Sequence, residues 1–104
     1  MVKNPDLKES VMKGKVLVAV ADGIEELEVI TVIDCLGRAG AGLTVASVQG
    51  QQITTCREVT ITADCLIADC VEQVYDLIVL PGGMPGAEHF GKSKVLVEML
   101  KKQK

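Results

Sequence analysis

The stretch that most constrains this chain is KVLVAVA, residues 15–21. It is a continuous apolar run, too short for a globular helix and without the alternation of a strand that turns one face to water. It therefore predicts a parallel strand covered on both faces. Cover on both faces means flanking helices, which is an α/β architecture. Hydrophobic residues make up 48% of the chain, yet Phe and Tyr occur once each and Trp not at all, so the core must be built from Val, Ile, Leu and Ala. At 104 residues there is room for one such core.

From Ile24 to Ala39 the apolar spacing becomes helical, and RAGAG closes the helix with Gly40 available for the left-handed position after it. LTVASV (43–48) predicts a second strand, so the first three elements make a right-handed crossover unit. QQITTCREVTITAD (51–64) alternates β-branched and polar residues around a turn near Cys56–Glu58, which predicts a hairpin at a sheet edge. CLIADCVEQ (65–73) reads as a short helix, YDLIVLPGG (75–83) as a third oily strand running into glycines, PGAEHFG as a turn or short helix, and SKVLVEMLKKQK (93–104) as a last helix. Residues 1–13 read as a flexible extension and 14–104 as the body of one domain. The order predicts a mostly parallel, doubly wound sheet, in which ligands sit at the carboxyl ends of the strands. Glu25–Glu28 and Gly82–Gly83 both fall at such ends, and the two segments should face one crevice.

Several classes are excluded. Net charge is −3, and lysines and acids are interspersed, so no basic stripe exists to neutralise phosphates and nucleic acid is not an expected partner. Cys35, Cys56, Cys65 and Cys70 contain no CxxC pair, so no metal site is expected. No apolar run is long enough for a signal h-region or a membrane span, so the thiols are expected to be reduced and the chain intracellular and cytoplasmic. LPGGMPG is neither GxGxxG nor a loop ending in GK[ST], so no nucleotide or other cofactor is indicated.

Three carboxylates follow the first strand. Asp22 and Glu25 fit a capping box, which gives Glu25 a structural explanation. Glu26 is favoured by the helix dipole as a solvated surface charge. Glu28 lies among Leu27, Val29 and Ile30 in a helix that is apolar almost all round, so it should be half-buried, where lack of a cation would raise its pKa and let the protonated form donate a hydrogen bond. The alternative is pairing with Arg38, Arg57 or a lysine. The breadth of that apolar surface also suggests self-association through the helix. Gly82 and Gly83 can turn the chain and leave backbone N–H groups uncovered for an oxyanion, although an ordinary strand-to-helix turn would use them equally well. His89 suits a surface or helix-start position. Cys35 reads as an inert packing residue, Cys56 beside Arg57 as a thiol of lowered pKa open to oxidation, and Cys65 and Cys70 as partly buried.

Taken together, VLVAVADGIEELEVI, DCLGRAGAGLTVASV and YDLIVLPGGMPGAEHF resemble the ThiJ/PfpI superfamily, and within it the Parkinson-disease-associated protein deglycase branch. The likeness runs from about Lys15 to Lys104. It implies a flavodoxin-like three-layer α/β sandwich, a homodimer, and a nucleophilic cysteine at a strained strand-to-helix elbow. It also implies glyoxalase activity on methylglyoxal, protein deglycase activity, redox sensing in oxidative stress and chaperone activity. By position, Glu28 matches the buried glutamate that hydrogen-bonds the reactive thiol and serves as acid or base, and Gly83 with Gly82 matches the oxyanion pocket. Arg57 matches an arginine near the dimer interface, with Glu25 and Leu27 beside it, and Cys56 lies close to a peripheral cysteine open to oxidation.

The sequence departs from that pattern in one respect. The nucleophile and its histidine belong after the helix at which this chain stops, and none of the four cysteines matches the elbow. The sheet is therefore expected to be incomplete here, with the chain the amino-terminal piece of a cleaved protein, a truncated chain, or a natural half-length protein. An open LIVL strand would expose apolar surface and an unpaired edge, which favours the first: a complementary polypeptide that carries the cysteine. Two functions follow as expectations, a cysteine-dependent enzyme acting on a small aldehyde, or a redox-sensing, chaperone-like stress protein. The isolated chain, lacking the nucleophile, would be inactive.

Overall fold

The computed structural model describes residues 14–84 and 86–103; the expected extension, residues 1–13, lies outside the described residues. The apolar run forms β1 (Lys15–Val20), and Val16 to Ala21 are each 0% exposed. Fully burying each of the larger of these side chains contributes about 1.5–3 kcal/mol. Helix α1 (Glu26–Arg38) leads to β2 (Gly42–Ser47), which pairs parallel to β1 along its whole length, Lys15 opposite Gly42 and Val20 opposite Ser47. Two short strands, β3 (Gln52–Thr54) and β4 (Thr60–Thr62), precede β5 (Cys65–Leu66) and a 3-10 helix (Ile67–Cys70). Then come β6 (Leu77–Val79), α2 (Gly86–Lys92) and α3 (Lys94–Lys102).

The main sheet has the order β5-β2-β1-β6, all parallel. The chain moves outward from β1 through β2 to β5 and then returns to the other side of β1 to lay down β6. This makes the doubly wound arrangement expected from the element order, and the flavodoxin-like one that the resemblance implies, with its topological switch point between β1 and β6.

The helix ends follow local chemistry. α1 closes in a Schellman motif: Gly40 takes φ +90°, its N–H bonds the Gly37 carbonyl, and the Ala41 N–H bonds that of Leu36. Ser93 caps α3, its hydroxyl accepting the Leu96 N–H at 3.2 Å.

Four local expectations are corrected. α1 begins at Glu26 with Glu25 as its cap residue and no side-chain cap bond, so there is no capping box. Asp22 instead accepts the Thr54 N–H at 2.9 Å and thereby holds the hairpin, a partner too distant in sequence to be read from spacing. The hairpin does not extend the main sheet; β3 and β4 pair antiparallel as a sheet of their own. The segment 65–73 is not a helix throughout, because Cys65 and Leu66 pair with Ala46 and Ser47 of β2 before a single 3-10 turn. Cys35 is exposed on α1 rather than packed in the core.

Candidate functional site

At the switch point, the loop after β1 and the loop after β6 meet. β1 and β6 are parallel neighbours, so their carboxyl ends lie on the same edge of the sheet. The first loop turns at Gly23 (φ +87°), whose N–H bonds the Thr54 carbonyl at 2.9 Å; the second turns at Gly83 (φ +112°). The approach is close enough that a Cβ on Gly83 would lie 2.6 Å from the Gly23 carbonyl oxygen and 2.9 Å from the Glu25 nitrogen. A side chain at Gly83 is thus barred by φ and by backbone together.

Gly82 is clamped from both sides. Its carbonyl accepts the Glu25 N–H at 2.8 Å, and its N–H donates to Glu28 Oε1 at 2.9 Å. A Cβ on Gly82 would meet Glu28 Oε1 at 2.9 Å, so glycine is what lets the carboxylate reach the loop. Glu28 sits in the first turn of α1, where the helix dipole favours negative charge by about 0.3–1 kcal/mol. One oxygen is held by the amide, and Oε2 has no hydrogen-bond partner among the described residues. The Gly82 N–H is already committed to Glu28, whereas the Gly83 N–H has no hydrogen-bond partner among the described residues.

Two sequence expectations about this region are corrected. Glu28 is exposed rather than half-buried, because β6 is the edge of the sheet and no described element covers that side of α1. Its carboxylate pairs with neither Arg38 nor Arg57: Arg38 bonds Asp34 at 3.0 Å, and Glu28 takes the backbone N–H instead.

Beside the site a second carboxylate organises the hairpin loop. Glu26 Oε1 accepts the Thr55 hydroxyl at 3.1 Å, and Oε2 accepts the Cys56 thiol at 3.8 Å, while the Cys56 N–H bonds the Ile24 carbonyl at 2.9 Å. Desolvation pushes the Glu26 carboxyl up, but hydrogen bonds from its own backbone, Thr55, Cys56 and the Arg57 backbone outweigh it and leave the pKa below the ordinary value. Cys56 goes the opposite way from the expectation. Desolvation and then the Glu26 and Glu25 carboxylates push its thiol up, outweighing Arg57. Glu25, Leu27 and Arg57 are all exposed and cluster around the first turn of α1, with Leu27 74% exposed. Nothing in the residue pattern points to Thr55 in this cluster, nor to Gln49, which accepts the Asp22 N–H at 2.7 Å and whose Nε2 lies 3.3 Å from Nδ1 of His89, a residue of α2. Each is an ordinary polar residue made relevant only by tertiary approach.

Among the described residues no group of three or more His, Cys, Asp or Glu side chains could hold a metal ion, and no helix is long and apolar enough to cross a membrane.

A family model described as DJ-1/PfpI family matches residues 14–104. "Protein DJ-1 homolog B" of Arabidopsis thaliana is 47% identical over 90 residues, covering 86% of this chain and 20% of that protein. "Parkinson disease protein 7 homolog" of Danio rerio is 41% identical over 95 residues, covering 88% of this chain and 50% of that protein. A Caenorhabditis elegans protein named "Glutathione-independent glyoxalase DJR-1.2" is 29% identical over 91 residues, covering 88% and 48% respectively. Among solved structures, "Toxoplasma gondii DJ-1, oxidized" superposes with a TM-score of 0.84 at 47% identity, covering 86% of this chain and 49% of that one. The chain spans half or less of the length of these relatives.

Proposed function

Because this chain belongs to the DJ-1/PfpI family, we propose that it supplies the acid–base carboxylate and the oxyanion loop of a cysteine-dependent site acting on methylglyoxal or its adducts on amines and thiols. This is glyoxalase- or deglycase-type chemistry. The nucleophile comes from a complementary polypeptide seated beside β6. None of the four cysteines here hydrogen-bonds Glu28 among the described residues. The support for a neighbouring strand is that β6 is an edge and leaves Leu77 and Leu80 39% and 42% exposed.

In the reaction, the thiolate adds to the aldehyde carbon and the resulting oxyanion rests on the Gly83 N–H. Glu28 takes the proton from that carbon and returns it to the adjacent former carbonyl carbon, leaving a thioester. Water hydrolyses the thioester to lactate and frees the thiol. The observation that carries the reading is the Gly82 N–H bond to Glu28 Oε1, which fixes a carboxylate at the switch point between two glycine turns. The only function named among the relatives described above, that of the nematode protein, is of this class. A reducing, cytoplasmic setting fits a reaction that needs a free thiolate.

The test is turnover of methylglyoxal to lactate by the complete protein. Glu28→Ala is expected to abolish it and Glu28→Gln to reduce it by a factor of about 100–10,000, the usual worth of a general acid–base group. Turnover unchanged in both variants overturns the reading.

A second reading, a redox-sensing, chaperone-like stress protein, draws on the oxidised state named for the Toxoplasma structure. It expects no turnover, and a peroxide-dependent gain of oxygen on one cysteine.

A further inference from the structure

Along the edge of the sheet opposite β6 lies a pair of thiols that the proposed chemistry does not use. β5 opens at Cys65, and the 3-10 turn ends at Cys70. That turn folds the second thiol back on the first, so the two Sγ atoms stand 3.3 Å apart. Cys65 is half-buried and Cys70 is 3% exposed. Both line an open cavity of about 440 Å³ together with Lys15, Thr44, Asp69 and Tyr75. The lining also includes Gly42, and Lys15 and Gly42 open β1 and β2, so the cavity reaches the amino ends of these strands on the β5 side of the sheet, away from Glu28 beside β6.

We propose that Cys65 and Cys70 form a reversible dithiol–disulfide site, oxidised by a hydroperoxide that reaches Cys65 through this cavity. The Cys65 thiolate attacks the peroxide oxygen, the O–O bond breaks, and Cys65 becomes a sulfenic acid while the departing alkoxide or hydroxide takes up a proton. Cys70 then attacks the Cys65 sulfur, the S–O bond breaks, and hydroxide leaves with the Cys70 proton as water. Two thiols and one hydroperoxide give one disulfide, one alcohol and one water; for hydrogen peroxide the alcohol is a second water.

Three features favour closure over further oxidation. The sulfurs, 3.3 Å apart, must approach by only about 1.3 Å to reach bonding distance, and the half-buried Cys65 lines the cavity. Only four residues separate the two cysteines, so ring closure costs little chain entropy. Cys70 is the less exposed of the two and lies 3.3 Å from the Cys65 sulfur, so a sulfenic acid formed on Cys65 has a thiol already beside it. Its thiol now points to the Leu66 carbonyl at 3.7 Å, a weak bond that closure replaces.

The site should be slow at neutral pH and quicken in base. Burial, the Cys70 hydrogen bond and the carboxylates of Asp69 and Asp64 push Cys65 up to about 11. Among the described residues the other titratable groups facing the pair are Lys15 and Tyr75, the latter pushed up to about 12 by burial and its hydrogen bond with Cys70. The thiolate fraction of Cys65, and with it the rate, should rise about tenfold per pH unit between pH 7 and 9.

Treating the chain with tert-butyl hydroperoxide, alkylating the remaining thiols and mapping peptides by mass tests the proposal. The expected product is a Cys65–Cys70 linked peptide, two hydrogens lighter, reversed by dithiothreitol and unaffected by Cys56→Ser. In Cys70→Ser, Cys65 should instead accumulate sulfenic acid trapped by dimedone. Far-ultraviolet circular dichroism checks that each variant retains its fold. Sulfinate or sulfonate on Cys65 of the unmodified sequence without linkage overturns the proposal. A linkage yield as high in concentrated guanidinium as in buffer overturns the claim that the fold presents the pair.

Discussion

Gly82 and Gly83 are adjacent glycines with different reasons to be glycine, and substitution should separate them. An alanine Cβ at Gly82 would press on the Glu28 carboxylate, the mobile end of a side chain, so the chain can yield by swinging Glu28 away. Gly82→Ala is therefore expected to keep the fold and lose the Glu28 contact, and with it most turnover in the complete protein. At Gly83 the same change meets the Gly23 carbonyl at 2.6 Å with φ +112°, and neither can yield without moving backbone. Gly83→Ala should cost about 1–3 kcal/mol or more in urea denaturation, with Gly82→Ala well below it; equal costs would contradict this division. Glu26 makes a second prediction at this scale. Its folded pKa lies below the unfolded value, so the stability it contributes is present above the unfolded pKa and is lost as pH falls through the folded one. The amide resonances of Thr55 and Cys56 should accordingly titrate with a midpoint below the ordinary carboxylate value, and Glu26→Gln should remove that titration and speed alkylation of Cys56. What the sequence disclosed here was residue type at a strand end: glutamates and glycines at two carboxyl ends that would share a crevice. Which glutamate reaches which glycine is hidden, because Glu25, Glu26 and Glu28 differ only in where a helix start points them, and α1 starts two residues later than the apolar spacing from Ile24 indicates.

The elements were legible to the extent that their causes were local. The oily run of β1 forces burial on both faces, and Gly40 forces a helix end, since Ala41 and Gly40 must both turn back to the last carbonyls of α1. Ser93 likewise announces α3 and gives a clean test: Ser93→Ala removes the hydroxyl that accepts the Leu96 N–H and should destabilise the protein by about 1 kcal/mol in chemical denaturation. Cys65–Cys70 was not legible because two residues of pairing to β2 compete with helix formation there, and only the sheet decides. The hairpin shows the same limit. Its strands follow from β-branched alternation, but its placement depends on Asp22 accepting the Thr54 N–H and on Glu26 accepting the Thr55 hydroxyl, bonds across about 30 residues of sequence. These bonds explain why the loop that carries Cys56 and Arg57 sits against the first turn of α1 rather than extending the sheet.

At the scale of the molecule, α1 lays Val29 into the core and turns Leu27 and Ile30 outward, 74% and 53% exposed. One turn apart on the same helix face, they form an apolar step flanked by Glu25 and the Arg57 loop, a small hydrophobic centre with a charged rim, as an interface between subunits is built. Scattered exposed leucines are ordinary on any protein surface, but this pair adjoins the very residues whose positions suggested a homodimer contact. If a dimer forms there, placing carboxylates at its centre would desolvate charge against charge across the two-fold axis, where each residue meets its own surroundings again. The complete protein is therefore expected to sediment as a dimer, and Leu27→Glu with Ile30→Glu to convert it to monomer in sedimentation velocity. The core should stay intact, since neither side chain contributes to it, and the circular dichroism spectrum should not change. A sedimentation coefficient unaltered by both substitutions would rule out a subunit contact through this step and leave the outer face of α1 as ordinary solvent-exposed helix.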